Sequence, residues 1–114
     1  MSDCIFCRIV RGEIPCNKVY EDDQVLAFDD IHPMAPVHVI VIPKAHIRTF
    51  MDIPADNLGI VVAMANAGQQ VARMKGVAEK GFRVVFNCNA EGGQVVFHLH
   101  MHVLGGRQLE DGLG

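Results

Sequence analysis

Apolar and polar positions change their period several times along the chain, and each change marks a different element. The segment KVYEDDQVLAFDD holds two β-rich runs on either side of the polar stretch Glu21 to Gln24. It predicts a β-hairpin with a four-residue turn. DIHPMAP follows, and its Pro33 and Pro36 break both helix and ladder, so it reads as a loop. VHVIVIP is an apolar β-branched run ended by Pro43 and predicts a buried strand. From Ile53 or Pro54 to about Lys75, the residues Leu58, Val61, Val62, Ala65, Val71 and Met74 fit a helical period. Asp52 is placed as its cap and Pro54 lies in its first turn, which predicts one long helix. Gly76 and Gly81 then punctuate the chain before FRVVFN and FHLHMHVL, two strand candidates separated by the loop CNAEGGQ. Their proximity in sequence favours antiparallel pairing. Hairpin, strand, helix, strand, strand describes an α+β fold of one sheet and a helix.

Length adds that residues 1–114 should form one domain with one site system. Half the residues are hydrophobic and a fifth are charged, an ordinary globular balance that supplies one core. The formal net charge of -3 argues against a nucleic-acid polymer as partner, because that mode needs clustered Lys and Arg to displace counterions. Isolated nucleotides stay open. MSDCIFCRIVRGEIP has no apolar run long enough for a signal or membrane segment, so a cytoplasmic location and no membrane partner are expected. Four cysteines in such a compartment should stay reduced, leaving metal binding or plain burial. Of these, Cys4 and Cys7 have suggestive spacing, whereas Cys16 and Cys88 show no partner.

The chemistry concentrates in the last strand candidate. His98, His100 and His102 alternate with Leu99, Met101 and Val103, so an extended strand projects the imidazoles from one face and the apolar residues from the other. Neighbouring imidazoles should stand roughly 6 to 7 Å apart. A solvated strand face and a metal site are the alternatives to a row serving one polyatomic ligand. Immediately upstream, Gly92 and Gly93 allow backbone N–H groups to approach an anion closely, and Gln94 adds a side-chain donor. That loop suits phosphate.

GGQVVFHLHMHVLGG resembles the signature of the histidine triad family, His-φ-His-φ-His-φ-φ with φ apolar, here His98 through Leu104. The likeness extends through CIFCRIVRGEIP, the VYEDD hairpin, FDDIHPMAPVHVIVIPKAH and the LGGR end, and is nearest to the Hint branch. It implies a five-stranded antiparallel sheet with one long helix in each subunit of a homodimer. It also implies a nucleotide hydrolase or nucleotidyl transferase acting on purine nucleoside phosphoramidates or related AMP or GMP conjugates. His100 is implied to attack the α-phosphorus and form a covalent nucleotidyl-histidine that water then releases; a neutral imidazole is a competent nucleophile near neutral pH. The backbone carbonyl of His98 is implied to orient His100, and His102 to donate to a nonbridging phosphate oxygen. His38 resembles the family's fourth, more buried histidine, though by itself a satisfied core histidine is an equal reading. Asp30 resembles the ribose-binding acid but alone reads as a turn aspartate. Phe6, Ile9, Phe28 and Ile31 resemble the base pocket but alone read as core. Asn87, Gly93, Gln94, Val95 and Val96 complete the implied nucleotide contacts.

Val95 departs from the serine that many Hint-branch enzymes carry near the leaving group, and the tail QLEDGLG is short. Both bear on leaving-group choice and rate. Some family members hold structural zinc with a CxxC pair, a histidine after the PK segment and the first triad histidine, here Cys4, Cys7, His46 and His98. Two buried thiols and a surface histidine are the alternative. The chemistry itself needs no cofactor. Competing functions are a zinc-stabilised nucleotide-binding or interaction module with little turnover, and a dinucleoside polyphosphate hydrolase from another branch.

Overall fold

The first chain reversal closes on Asp22, whose Oδ1 accepts from the backbone N–H groups of Gln24 and Val25 at 2.8 and 2.9 Å. This Asx-type turn joins β1 (Lys18–Glu21) to β2 (Val25–Asp29), the expected hairpin with Glu21 kept in its strand. The computed structural model of the protein describes residues 4–111. Expectations resting on residues 1–3 of the amino terminus and 112–114 of the tail lie outside the described residues.

β3 (Val37–Pro43), β4 (Phe82–Phe86) and β5 (Met101–Gly105) complete a five-stranded antiparallel sheet in the order β1-β2-β3-β5-β4. With one long helix packed on it, this is the α+β architecture expected. Strand alternation divides the sheet into two faces. Val25, Ala27, Val39, Val41, Met101 and Val103 enter the core beneath the long helix. Leu26, Phe28, Ile40 and Ile42 form a second apolar cluster on the opposite face with Phe6. Phe6 belongs to α1 (Ile5–Val10), an element the sequence pattern does not predict because six residues are too few to display a period.

The long helix, α2 (Gly59–Met74), starts later than expected. Pro54 biases the residue before it away from helix, and Ile53 is extended at φ -63° and ψ 121°. The intervening chain makes two 3₁₀ turns, Phe50–Asp52 and Ala55–Asn57. Asp52 therefore does not cap α2; it sits in the first of these turns and accepts the Thr49 hydroxyl at 2.7 Å. The buried face also differs. Ile60, Met64, Ala67, Gly68, Val71 and Ala72 point into the core, so of the residues read as the periodic face only Val71 is among them. Leu58 and Val62 are 59% and 70% exposed. The helix carries two apolar stripes, and periodicity does not say which one is inside. Val61 and Ala65 of the other stripe join Phe82, Val84 and Phe86 of edge strand β4 in a shallow apolar groove of about 250 Å³.

The histidine strand is shorter than its sequence suggests. Its ladder with β3 runs from Val37 opposite Gly105 to Val41 opposite Met101. Two residues further along β3 stands Pro43, which has no N–H to give, and the chain at Leu99 bonds instead to the Ile47 carbonyl at 2.7 Å. His98 and His100 thus leave the ladder, yet the alternation persists. Leu99 stays in the core beneath α2. His98 and His100 both meet the ring of Phe6 on the other face. No helix among the described residues is long and apolar enough to cross a membrane.

Candidate functional site

On the face away from α2, a cleft of about 740 Å³ opens between α1, the sheet and the loop before His98. Its size suits a nucleotide-sized ligand. Of the residues singled out in the sequence, His38, His100, His102, Asp30, Phe6, Ile9, Phe28, Ile31, Asn87, Gly93, Val95 and Val96 all line it. Ile5, Ile14, Pro15, Cys16, Met34 and Ile40 line it as well. These were not anticipated, because most lie in α1 and the connections, where no period marks them.

His38 reaches the site from β3. It stands opposite Leu104, so His102 two residues away is its diagonal neighbour across the ladder. Their facing nitrogens, His38 Nε2 and His102 Nδ1, are 2.9 Å apart. The backbone N–H of Met34 donates to His38 Nδ1 at 3.0 Å, which places the proton of the neutral ring on Nε2. That proton is donated to His102 Nδ1, and His102 must then carry its own proton on Nε2. His100 has the opposite arrangement: its Nδ1–H donates to the His98 carbonyl at 2.7 Å and leaves a lone pair on Nε2. The two rings lie with centroids 5.0 Å apart, closer than strand spacing alone predicts, because His100 sits beyond the regular ladder. A ring nitrogen with a free lone pair and a donor N–H therefore lie on neighbouring rings.

Burial disfavours the charged form of these rings. It pushes the His100 imidazole below its ordinary value, against the opposing pull of the His98 carbonyl and the Asp30 charge. Burial, followed by the neighbouring His100 and His38 rings, pushes His102 down to about 4. His38 is lowered by burial, with the Asp30 carboxylate working the other way. Asp30 Oδ2 lies 3.4 Å from His38 Nε2, and Oδ1 accepts the His32 N–H at 2.8 Å.

Gln94 is placed differently from its expected role. Its side chain is buried and absent from the cleft lining: Nε2 donates to the carbonyls of Arg48 and Val96 at 3.0 Å each, and Oε1 accepts the Asn89 N–H at 2.8 Å. The amide is spent on holding the loop, so the donor expected to face phosphate is engaged inside it. Gly92 serves the same loop. A Cβ there would clash with the Cys88 carbonyl oxygen, while Gly93 takes φ 84° and Asn89 φ 63°. Val95 is 86% exposed at the mouth of the cleft.

Cys4, Cys7, His46 and His98 converge beside the cleft. Cys4 Sγ lies 3.3 Å from His98 Nδ1, Cys7 Sγ 3.2 Å from His46 Nδ1, and the two Nδ1 atoms 3.2 Å apart. Four ligands held about 2.0 to 2.3 Å from one centre form a tetrahedron with edges of about 3.3 to 3.8 Å. These separations lie close to such edges, all four ligand atoms fall within 4.8 Å of one another, and the cluster could hold a metal ion. His98 Nε2 donates to the Pro43 carbonyl at 2.8 Å, leaving Nδ1 as the ligand atom, the outer contact typical of metal-binding histidines.

A family model for the HIT domain matches residues 11–109. The chain belongs to that family. It is 45% identical over 108 residues to the purine nucleoside phosphoramidase of Escherichia coli K12, covering 95% of this chain and 91% of that protein. A HIT-like protein of Chlamydia pneumoniae is 49% identical over 108 residues, with coverages of 92% and 94%. Among solved structures, a histidine triad protein from Clostridium difficile superposes with a TM-score of 0.96 at 48% identity, covering 99% of this chain and 98% of that one. A HIT family hydrolase from Legionella pneumophila gives 0.92 at 45% identity, with coverages of 96% and 97%.

The depressed pKa of the partly buried His102 should make this HIT domain acid-sensitive. A base whose folded pKa is depressed resists protonation in the folded state, so stability is present above the unfolded value near 6.5 and is lost as pH falls toward about 4. His102→Gln should flatten that loss. Urea unfolding midpoints at pH 7 and pH 5 check it: a drop as large in the variant as in the wild type excludes His102 as a source.

Proposed function

We propose that the protein hydrolyses purine nucleoside phosphoramidates or related AMP and GMP conjugates, with His100 as nucleophile. The observation that carries this reading is the paired tautomer arrangement, a lone pair on His100 Nε2 beside an N–H on His102 Nε2. In the first step His100 Nε2 bonds to the α-phosphorus as the bond to the leaving amine breaks, and the amine departs with a proton drawn from solvent, to which the attacking water of the second step returns one. Water then attacks the same phosphorus, the P–Nε2 bond breaks, and the nucleotide leaves. His102 donates to a nonbridging oxygen as charge builds there. Phe6, Ile9, Phe28 and Ile31 form the base wall, Asp30 accepts from the ribose hydroxyls, and Asn87, Gly93, Val95 and Val96 border the phosphate. The E. coli relative's name supports the substrate class.

The same reading assigns zinc to Cys4, Cys7, His46 and His98. Two thiolates and two imidazoles close a tetrahedral shell with no position open to water, so the ion contributes folding energy rather than chemistry. A homodimer is supported by β4, an edge strand whose backbone lacks a partner on one side among the described residues and whose Val84 is 46% exposed beside the second stripe of α2. Val95 lacks a hydroxyl near the leaving group, which favours slow turnover.

Mixing the protein with an AMP phosphoramidate and quenching early should reveal an AMP adduct by mass spectrometry. His100→Ala should abolish the adduct and lower turnover by more than about 10³-fold; full turnover by that variant sinks the assignment. Metal analysis of tag-free protein should find close to one zinc per chain, and Cys4→Ser should lower both zinc content and Tm, with unchanged values refuting the site. Val84→Lys should shift the sedimentation coefficient from dimer to monomer; a natural protein that sediments as a monomer removes the dimer.

A further inference from the structure

We infer that the four-donor cluster and the nucleotide cleft are coupled through Phe6 of the base wall, so that metal bound at Cys4, Cys7, His46 and His98 tightens nucleotide binding. The inference rests on the nucleotide reading above. Phe6 lies between the two cysteines in α1, and its ring packs edge-on against His98 at 5.8 Å, His100 at 5.2 Å and Phe28 at 5.7 Å. With Ile5 and Ile9, it makes the α1 wall of the cleft. A six-residue helix has too few hydrogen bonds to hold itself together in water. The N-cap of α1 is the Cys4 sulfur, which accepts the Cys7 N–H at 3.4 Å, so a cluster residue also starts the helix.

His98 forms the second link. Its Nδ1 belongs to the cluster while its carbonyl orients His100 Nδ1 at 2.7 Å. The opposite wall has no such dependence, because Phe28 and Ile40 are fixed by the β2–β3 ladder. Losing the metal therefore releases one wall of the cleft and leaves the other standing. Coupling of this kind is reciprocal: whatever factor the metal adds to nucleotide affinity, nucleotide adds to metal affinity.

Calorimetric titration of AMP into zinc-loaded and chelator-stripped protein tests the inference. The stripped protein should bind AMP at least tenfold more weakly, a change of about 1.4 kcal/mol. Hydrogen exchange should show protection lost in α1 and retained in α2. Phe6→Ala, loaded with zinc, should bind AMP weakly, and its loaded-to-stripped ratio should approach one. Equal AMP affinity in the two forms overturns the coupling while leaving the nucleotide reading intact. Absence of AMP binding by the zinc-loaded protein overturns both. Loss of protection throughout α2 on stripping also overturns the coupling, since the ion would then hold the whole fold.

Discussion

The pairing of β3 with β5, and the place where it stops, organises the rest of the molecule. The ladder carries His38 to within hydrogen-bonding distance of His102 and sets Val39, Val41, Met101 and Val103 beneath α2. It cannot continue past Pro43 as a regular ladder, because that residue has no N–H. The released backbone at His98 to His100 can then do what a paired strand cannot. The His98 carbonyl turns to His100, the Leu99 N–H goes to Ile47, and the His98 ring reaches the Pro43 carbonyl. One proline in the centre of the sheet therefore separates a strand that positions side chains from a segment that uses its own backbone as a partner.

Much of this was legible in the order of residues. The alternation of His98, His100 and His102 with apolar neighbours correctly placed the imidazoles on one face, and that survives even where the ladder ends. The convergence of Cys4, Cys7, His46 and His98 followed from resemblance, since nothing in their spacing brings residues so far apart in sequence together. The hairpin was clear because Asp22 and its neighbours supply turn chemistry locally. What could not be read is what depends on context. The N-terminal limit of α2 lies beyond a second 3₁₀ turn, Ala55–Asn57, that no period marks, while its inward face is chosen by the sheet, not by the helix's own period.

Gln94 shows a different limit. As a residue type beside a glycine pair, it suggested a donor aimed at an anion. Its amide instead satisfies two backbone groups of its own loop, at Asn89 and Val96, and ties the loop to the Arg48 carbonyl of the segment after β3. Counting donors in a sequence cannot distinguish a group that meets ligand from one that holds the backbone meeting ligand. Only the destination of each hydrogen bond decides that, and buried backbone groups compete strongly for such a side chain.

The internal bracing by Gln94 separates two properties that loops usually share. Because the turn is shaped from within, the exposed side chain at position 95 contributes nothing to its outline. A hydroxyl and an isopropyl group can be exchanged there without rebuilding the backbone, leaving the scaffold indifferent to what is mounted on it. Position 95 can therefore vary while the architecture around it stays still.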